Sequence, residues 1–322
     1  ELENGQLDGF TLAYEAYGTL NEDGSNDLLV CHALTGDHHA AGIRKDPRTE
    51  DLEQKPGWWN HVIGPGKAID TKKFYVVCSN CLGACQGSTG PASLKPDQEE
   101  ERYGMDFPEF TIHDMVHAQK KLLEHLGVQK LFAVVGGSMG GMQTLQWIVD
   151  YPSFVERGLV IAATPRHSAQ TIAFNEVGRQ AIRGDEAWNQ GGYDTENGPT
   201  HGLGVARMMA HITYLSDLGM EKKFRQKPDC KQNEDLTKVV NSYLGYQAQK
   251  FIDRFDANTY LKLTSALDRF DLVGKRGLDD SLKGVLSKVL VIAFSSDWLY
   301  TPAQNQLVTE SLHRLGKDSV TN

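Results

Sequence analysis

The sequence predicts a doubly wound α/β fold, in which helices cover both faces of a mostly parallel sheet. Three observations lead to this prediction: short continuous apolar runs recur along the chain, a helical pattern separates two of them, and glycines crowd the turn after one of them. Such runs are typical of parallel strands that are buried on both faces. The five runs are residues 27–34, 74–80, 131–135, 159–163 and 288–294.

Residues 112–126 form the clearest predicted helix. Apolar and amide side chains recur there at intervals of three and four, at Ile112, Met115, Val116, Gln119, Leu122, Leu123 and Leu126. Gly127 follows as a predicted C-terminal stop, because glycine readily adopts the left-handed conformation that ends many helices. Strand, helix and strand therefore alternate, as they do in a parallel sheet.

This alternation is interrupted between residues 166 and 286. The pattern there is helical, it includes a long run from 236 to 270, and polar, glycine-rich connections separate its segments. The strand pattern then returns at 288–294. The sequence predicts a core of residues 1–165, a helical cap or lid of residues 166–286, and a return to the core at 287–322.

The composition argues against several classes of protein. The 322 residues carry a formal net charge of −9, so we do not expect nucleic acid as a partner. No apolar run reaches about 18 residues, and no membrane span is expected. Five cysteines, an odd number, indicate a reducing compartment, and we expect a cytoplasmic protein.

Two spacings are compatible with a metal ion. Cys78, Cys81 and Cys85 form a C-x2-C-x3-C run, and His113 and His117 stand four residues apart. The cysteine run has no fourth ligand nearby, and the histidine pair lacks the glutamate of an HExxH motif. We therefore favour thiols that pack as small apolar groups and a solvated helix face, and we expect no metal site.

The turn after residue 135 carries the strongest functional signal. Residues 131–147 read LFAVVGGSMGGMQTLQW, with four glycines around Ser138. A strand, then G-x-S-x-G, then a helix is the pattern of a nucleophile elbow, and the positions of Gly136 and Gly140 must then be small. The N-terminus of the following helix favours an oxyanion beside the serine. The alternatives are a glycine-rich phosphate loop and a chance match.

A serine nucleophile needs a base, an acid that orients the base, and a second oxyanion donor. In folds with this elbow the triad follows the order Ser, acid, His. Asp297 comes just after the run 288–294 and is the predicted acid, with a turn residue or a helix N-cap as the alternative. The loop 32–36 is predicted to supply the second oxyanion amide. His32 precedes Ser138, so we expect it to shape that loop and not to act as the base.

Nine segments give the chain a specific family resemblance: YEAYGTLNED, CHALTGDHHAAG, PGWWNHVIGPGKAIDT, SNCLGACQGSTGP, YGMDFPEFTIHDMVHAQKKLLEHLG, GGSMGGMQ, AFNEVGRQAI, GLGVARMMAHITYLSD and DRFDANTYL. Together they resemble the homoserine O-acetyltransferases over essentially the whole chain. The resemblance implies an α/β-hydrolase fold with a helical cap, usually a homodimer. It also implies transfer of an acetyl group from acetyl-CoA to the γ-hydroxyl of L-homoserine through an acyl-serine, a step of methionine biosynthesis. Acetyl-CoA is then a co-substrate, and no further cofactor is expected.

The resemblance also implies roles for seven residues. They are the nucleophile Ser138, the acid Asp297, the oxyanion amides of Leu34 and Met139, and a substrate pocket that contains Arg207, Tyr214 and Thr35. By residue type, Arg207 suits bidentate capture of the homoserine carboxylate, although a surface arginine is the ordinary alternative. Tyr214 follows two helical turns later and would share its face. Thr35 either touches the acyl group or caps its loop.

Three classes of function remain open from the sequence. The first is an acyltransferase that uses CoA thioesters, with homoserine O-succinyltransferase and serine O-acyltransferase as variants in donor or acceptor. The second is a serine esterase or other hydrolase on the same scaffold, and the third is a binding or structural protein with a degenerate elbow. Control of water separates the first two classes, because a transferase must shield its acyl-serine until the alcohol arrives.

The predicted triad lacks a well-placed histidine. Only His313 follows Asp297, and we expect it on the solvated flank of a helix. The buried side of that helix is predicted to carry Leu307, Val308, Ser311, Leu312 and Leu315. The family carries its base in a Gly-His-Asp segment after one further strand, and the aspartate there helps to hold the substrate amine. We therefore expect the catalytic histidine, that aspartate, the last strand and a closing helix to lie beyond Asn322.

Overall fold

A computed structural model describes residues 2–45, 54–96, 98, 100–194, 197–225 and 235–321. The strands of these residues are β1 (Tyr14–Tyr17), β2 (Asp27–Cys31), β3 (Ile43–Lys45), β4 (Gln54–Pro56), β5 (Ile63–Gly64), β6 (Ile69–Asp70), β7 (Tyr75–Ser79), β8 (Leu131–Gly137), β9 (Arg157–Ile161), β10 (Lys288–Ile292) and β11 (Ser319–Thr321). Seven of them form one sheet in the order β1-β7-β2-β8-β9-β10-β11, and two strand pairs, β3 with β4 and β5 with β6, lie apart.

The seven-stranded sheet is mostly parallel. Only β1 runs antiparallel to its neighbour, β7, and every other adjacent pair in the sheet is parallel. The five predicted strands are all present, as β2, β7, β8, β9 and β10. The predicted doubly wound α/β class is confirmed.

Side chains of the central strands alternate between two buried clusters. In β2, Leu29 and Cys31 pack on one face of the sheet, whereas Leu28 and Val30 pack on the other. Helices and loops cover both faces, so neither set of side chains meets water. This is why these strands read as continuous apolar runs and not as an alternation of apolar and polar residues.

The helices of the described residues are α1 (Ile112–His125), α2 (Met139–Asp150), α3 (Ala169–Arg183), α4 (Thr200–Thr213), α5 (Asp217–Arg225), α6 (Leu236–Ile252), α7 (Ala257–Arg269), α8 (Leu278–Leu282) and α9 (Pro302–Arg314), together with 3-10 segments at Gly104–Asp106 and Glu186–Gly191. Thr111 and Asp114 begin α1 with a reciprocal capping box. Gly127, with a φ of 80°, follows its last turn, which confirms the predicted stop. No helix in the described part of the chain is long and apolar enough to cross a membrane.

Every named element between β9 and β10 is helical, from α3 to α8. The helical run predicted from 236 to 270 consists of two helices, because α6 ends at Ile252 and α7 begins after Asp256. The Asp256 carboxylate accepts the N–H of Thr259 and the hydroxyl of Tyr193, and these bonds hold a sharp corner between the two helices.

The C-terminal elements differ from the prediction in two respects. The sequence places the last strand after Asn322, but Ser319–Thr321 already form β11, parallel to β10. Leu307, predicted on the buried side of α9, is 48% exposed, because Val308 and Leu312 define that side and Leu307 lies about 100° away around the helix.

Candidate active site

Ser138 stands at the turn between β8 and α2 with a strained backbone, at φ 56° and ψ −121°. A positive φ is uncommon for a residue that carries a Cβ, and it recurs at functional turns. A Cβ on Gly136 would lie 2.3 Å from the Gly140 backbone, and a Cβ on Gly140 would lie 2.0 Å from the carbonyl oxygen of Cys31. Both flanking positions therefore require glycine, as the elbow pattern predicts.

The same close approach brings two backbone segments together beside Ser138. Cys31 ends β2, so the loop that contains Leu34 starts against the first turn of α2. Met139 is the first residue of α2, where backbone N–H groups lack an acceptor within the helix. The amides of Leu34 and Met139 thus come from two elements that meet at the serine, next to the positive end of the α2 dipole.

A cavity of about 690 Å³ opens at Ser138, within the usual size range of small-molecule sites. Six of the seven residues implicated by the sequence line it: Ser138, Asp297, Leu34, Thr35, Arg207 and Tyr214. The seventh, Met139, has a fully buried side chain, so only its backbone is placed to contribute. The walls come from the core, from α4 and from the loop after β10, so core and cap both line the cavity.

Asp297 lies in the loop between β10 and α9. Its Oδ1 accepts the N–H groups of Leu299 at 2.9 Å and Tyr300 at 2.8 Å. This oxygen of Asp297 therefore has the role of a turn residue, which was the alternative to the triad acid. Its Oδ2 has no hydrogen-bond partner among the described residues. One carboxylate oxygen thus fixes the loop while the other stays free in the cavity that Ser138 also lines.

Arg207 projects from α4 into this cavity. Its Nη1 lies 3.5 Å from Thr35 Oγ1, and its guanidinium lies 5.6 Å from the ring centre of Tyr214, so these two side chains do share a face. The Nε atom is buried without a hydrogen-bond partner. Across the residues that the structure describes, no carboxylate forms an ion pair with Arg207, so its positive charge is available to a ligand.

A second guanidinium, which the sequence did not single out, lies beside the first. Arg254 donates from Nη1 to the carbonyl oxygen of Thr35 at 2.8 Å, and burial together with the charge of Arg207 lowers the pKa of Arg254. Burial, followed by the charges of Arg207 and Lys223, also lowers the pKa of His211 to about 4. The cap therefore concentrates positive charge near the elbow, in a protein whose net charge is −9.

The described histidines make no hydrogen bond to Ser138. His32 is buried, its Nδ1 donates to the carbonyl of Ala33 at 2.8 Å, and its Nε2 accepts the N–H of Cys81 at 3.1 Å. This arrangement agrees with its predicted part in shaping the loop, and burial lowers its pKa. His313 is exposed on α9 and donates from Nε2 to the carbonyl of Ser319, as expected for a helix flank.

The histidine pair on α1 has local partners. His113 Nδ1 lies 2.8 Å from Asp150, whose carboxylate raises the pKa of His113, and His117 Nδ1 lies 3.0 Å from the Tyr151 hydroxyl. These contacts anchor α1 to the end of α2. Burial raises the pKa of Cys81 to about 12 and that of Cys85 to about 11, so both thiols stay protonated at neutral pH.

Two further contacts join cap and core at the cavity, and sequence reasoning missed both. Trp298 Nε1 donates to the carbonyl of Leu215 at 3.1 Å, and the Tyr300 hydroxyl lies 3.2 Å from His167 Nε2. Trp298 and Tyr300 follow the predicted acid by one and three residues, which is the one signal that could have drawn attention to them. Arg254 had a comparable signal, since it lies in the quoted segment DRFDANTYL.

The fold and the elbow define the class: this is an α/β-hydrolase-type protein with a serine at its nucleophile elbow. A family model described as alpha/beta hydrolase fold matches residues 27–316. The homoserine O-acetyltransferase of Methanohalobium evestigatum is 54% identical over 316 residues, which are 97% of this chain and 63% of that protein. Other curated relatives at about 50% identity carry the same name. The chain belongs to the homoserine O-acetyltransferase family.

Solved structures agree with this placement. The crystal structure of homoserine O-acetyltransferase from Bacillus anthracis matches with a TM-score of 0.88 at 32% identity, and covers 100% of this chain and 87% of that one. The crystal structure of esterase E22 matches with a TM-score of 0.86 at 34% identity, and covers 99% and 89%. The chain spans about 63% of the length of the first curated relatives that it matches.

Proposed function

We propose that this protein is an acyltransferase that moves an acetyl group from acetyl-CoA to the γ-hydroxyl of L-homoserine, in methionine biosynthesis. The observation that carries the proposal is the Arg207 guanidinium, without a carboxylate partner among the described residues, in the same cavity as the elbow serine. A planar guanidinium suits bidentate capture of an amino-acid carboxylate. The proposal involves no cofactor besides acetyl-CoA as co-substrate.

In the first half-reaction, Ser138 Oγ attacks the carbonyl carbon of the thioester while a general base, oriented by Asp297, takes its proton. The carbonyl oxygen becomes an oxyanion and accepts the N–H groups of Leu34 and Met139. Removal of one such donor typically costs about 3–4 kcal/mol of transition-state stabilisation. The C–S bond then breaks, the CoA sulfur takes the proton from the base, and an acetyl-serine remains.

In the second half-reaction, homoserine enters the cavity and places its carboxylate on Arg207, beside Tyr214. Its γ-hydroxyl gives its proton to the base and attacks the acetyl carbon, with the same two amides on the new oxyanion. The bond from Ser138 Oγ to the acetyl carbon breaks, and the serine recovers its proton. The product is O-acetyl-L-homoserine.

A hydrolase is the second candidate, favoured by the match to esterase E22 at 34% identity. The two functions differ in how the acetyl-serine meets water. Purified full-length protein is mixed with acetyl-CoA alone, and free CoA is followed by a thiol reagent. A single burst of one CoA per active site supports the transferase, and sustained release without an acceptor supports the hydrolase. Release by Ser138→Ala equal to wild type would exclude the acyl-serine.

The donor needs its own experiment. A succinyl group brings an extra carboxylate, and Arg254 is a cation that could receive it. Arg254, however, donates to the Thr35 carbonyl and lines a neighbouring cavity of about 340 Å³ instead of the one at Ser138, which favours acetyl. A competition between acetyl-CoA and succinyl-CoA, each with homoserine or serine as acceptor, tests donor and acceptor together. Preference for succinyl-CoA or for serine would contradict the proposal in that part.

A further inference from the structure

A buried chain of side chains leads away from Ser138 into the cap. Tyr300 lines the cavity beside Ser138 and is only 5% exposed. Its hydroxyl lies 3.2 Å from His167 Nε2, and His167 Nδ1 lies 2.9 Å from Asp268 Oδ1. The side chain of His167 is 1% exposed. The mechanism proposed above does not use any of these three residues.

Asp268 ends the chain as a carboxylate. Asn175 donates to its Oδ1 at 2.7 Å and Arg179 to its Oδ2 at 2.7 Å. Burial by itself raises the pKa of Asp268, but the hydrogen bonds from His167, Asn175 and Arg179 outweigh it, and the pKa lies below its usual value. An ionised carboxylate only accepts hydrogen bonds. His167 Nδ1 must therefore carry the proton that lies between the two groups.

The direction of every bond in the chain follows from that proton. His167 is 1% exposed and Arg179 already pairs with the Asp268 carboxylate, so a second buried positive charge is disfavoured and the imidazole is neutral. Its Nε2 is then an acceptor, and the Tyr300 O–H donates to it. The phenol then has no second proton, and it faces Ser138 with lone pairs only. Tyr300 and Ser138 line the same cavity; burial raises the pKa of Tyr300, and a hydrogen bond with Ser138 lowers it.

We infer that Asp268 and His167 hold Tyr300 as a hydrogen-bond acceptor toward Ser138, so that Tyr300 is a positioning residue for the nucleophile. If Tyr300 turned its O–H to Ser138, it would occupy the Oγ lone pair that attacks the acyl carbon, and this bond would have to break first. The inference deepens the proposed function and rests on its assignment of Ser138 as the nucleophile.

Asp268→Asn tests the direction of the chain with almost no change in volume. The asparagine amide donates to His167 Nδ1, so Nε2 becomes the protonated nitrogen and donates to the Tyr300 oxygen. The Tyr300 O–H is then free to donate to Ser138. Tyr300→Phe, by contrast, removes both the acceptor and the harmful donor. The two changes should therefore not add, because the second removes the group through which the first acts.

The readout is the rate at which a fluorophosphonate labels Ser138 in the full-length protein, since this needs neither acetyl-CoA nor homoserine. We expect Asp268→Asn to slow labelling about tenfold, the effect of one hydrogen bond. Tyr300→Phe should slow it about two- to threefold, and the double variant should label at the rate of Tyr300→Phe. Glu176→Gln, which removes a partner of Arg179 but leaves the chain intact, should label like wild type.

Thermal denaturation of each variant verifies that it folds. Multiplied losses in the double variant, or wild-type labelling by Asp268→Asn, would overturn the inference and show that the chain only joins cap to core. Failure of the wild-type protein to label at Ser138 would overturn the proposed function itself. Labelling as expected, together with sustained release of CoA without acceptor, would keep the inference and replace the transferase by a hydrolase.

Discussion

The contact between the elbow and β2 leads to a sharp prediction for Gly140→Ala. The new Cβ would lie 2.0 Å from the carbonyl oxygen of Cys31 and 3.1 Å from that of His32, whereas real Cβ atoms essentially never approach within 3.0 Å. The obstacle is the backbone of a central strand, which has no rotamer to change. Helix α2 and strand β2 must therefore separate by about 1 Å, the shortfall between these distances.

Two losses follow from that separation. Overpacking costs about 1–3 kcal/mol, and a backbone obstacle places Gly140→Ala at about 3 kcal/mol. At about 2.1 cal/mol/K of unfolding entropy per residue, 1 kcal/mol shifts the Tm of a chain of this size by about 1.5 °C, so Tm should fall by about 4–5 °C. A shift of about 1 Å between Ser138 and the Leu34 amide should also slow formation of the acyl-serine about 100-fold.

Gly137→Ala is the matched control, because the nearest atom to its new Cβ is the carbonyl oxygen of Ile161 at 3.7 Å, an ordinary contact. It should keep Tm within about 2 °C of wild type, as substitutions without strain usually do. Scanning calorimetry gives Tm, and the acetyl-CoA burst gives the acylation rate. Equal Tm and equal burst rates for Gly140→Ala and Gly137→Ala would refute the reasoning.

Three more predictions concern the cavity. Arg207→Ala should raise KM for homoserine about 10- to 100-fold. The acetyl-CoA burst should stay unchanged, because the homoserine carboxylate enters only in the second half-reaction. Lys should rescue Arg207 poorly, and a burst slowed as much as turnover would contradict this prediction. Asp297→Asn keeps an oxygen that accepts the N–H groups of Leu299 and Tyr300, but it loses the charge. Steady-state kcat should therefore fall about 10³- to 10⁴-fold with little change in Tm. Activity within tenfold of wild type would exclude Asp297 as the acid. The pKa of His211, lowered to about 4 from 6.5, means that the unfolded chain binds the proton more readily. The free energy of unfolding, measured in urea, should therefore fall as the pH decreases from about 6.5 toward 4, and His211→Gln should flatten this decrease; an identical pH profile for the variant would show that other groups cause it.

Local sequence patterns predicted the parts of the fold that depend on local physics. The buried strands are visible in the sequence as continuous apolar runs because both faces of the sheet are covered. The elbow is visible because only glycine fits at positions 136 and 140. The corner at Asp256 was missed, although Asp256 and Thr259 stand at the spacing of an N-cap and the residue it binds. This corner was missed because the apolar periodicity of the first helix continues into the second.

The site was predictable only as far as its motifs and the family resemblance reach. Arg254 meets Thr35 across 219 positions of sequence, and His167 meets Tyr300 across 133. No local pattern encodes such pairs, because the fold alone decides which side chains come together. His167 has the further difficulty that its function depends on a proton position that Asp268 determines, which residue type does not reveal.

Thr35, in a loop of the core, is contacted by two arginines of the cap. Its carbonyl receives Arg254 and its hydroxyl receives Arg207, one residue from the Leu34 amide. Nearby, Trp298 ties the loop of Asp297 to Leu215. A cap transplanted from a relative with different helices would leave the Thr35 loop without these two braces, and the transplant would alter the rate of acylation along with the choice of acceptor. Engineering a new acceptor preference in this scaffold therefore calls for exchanging the Thr35 loop and the cap helices as one unit.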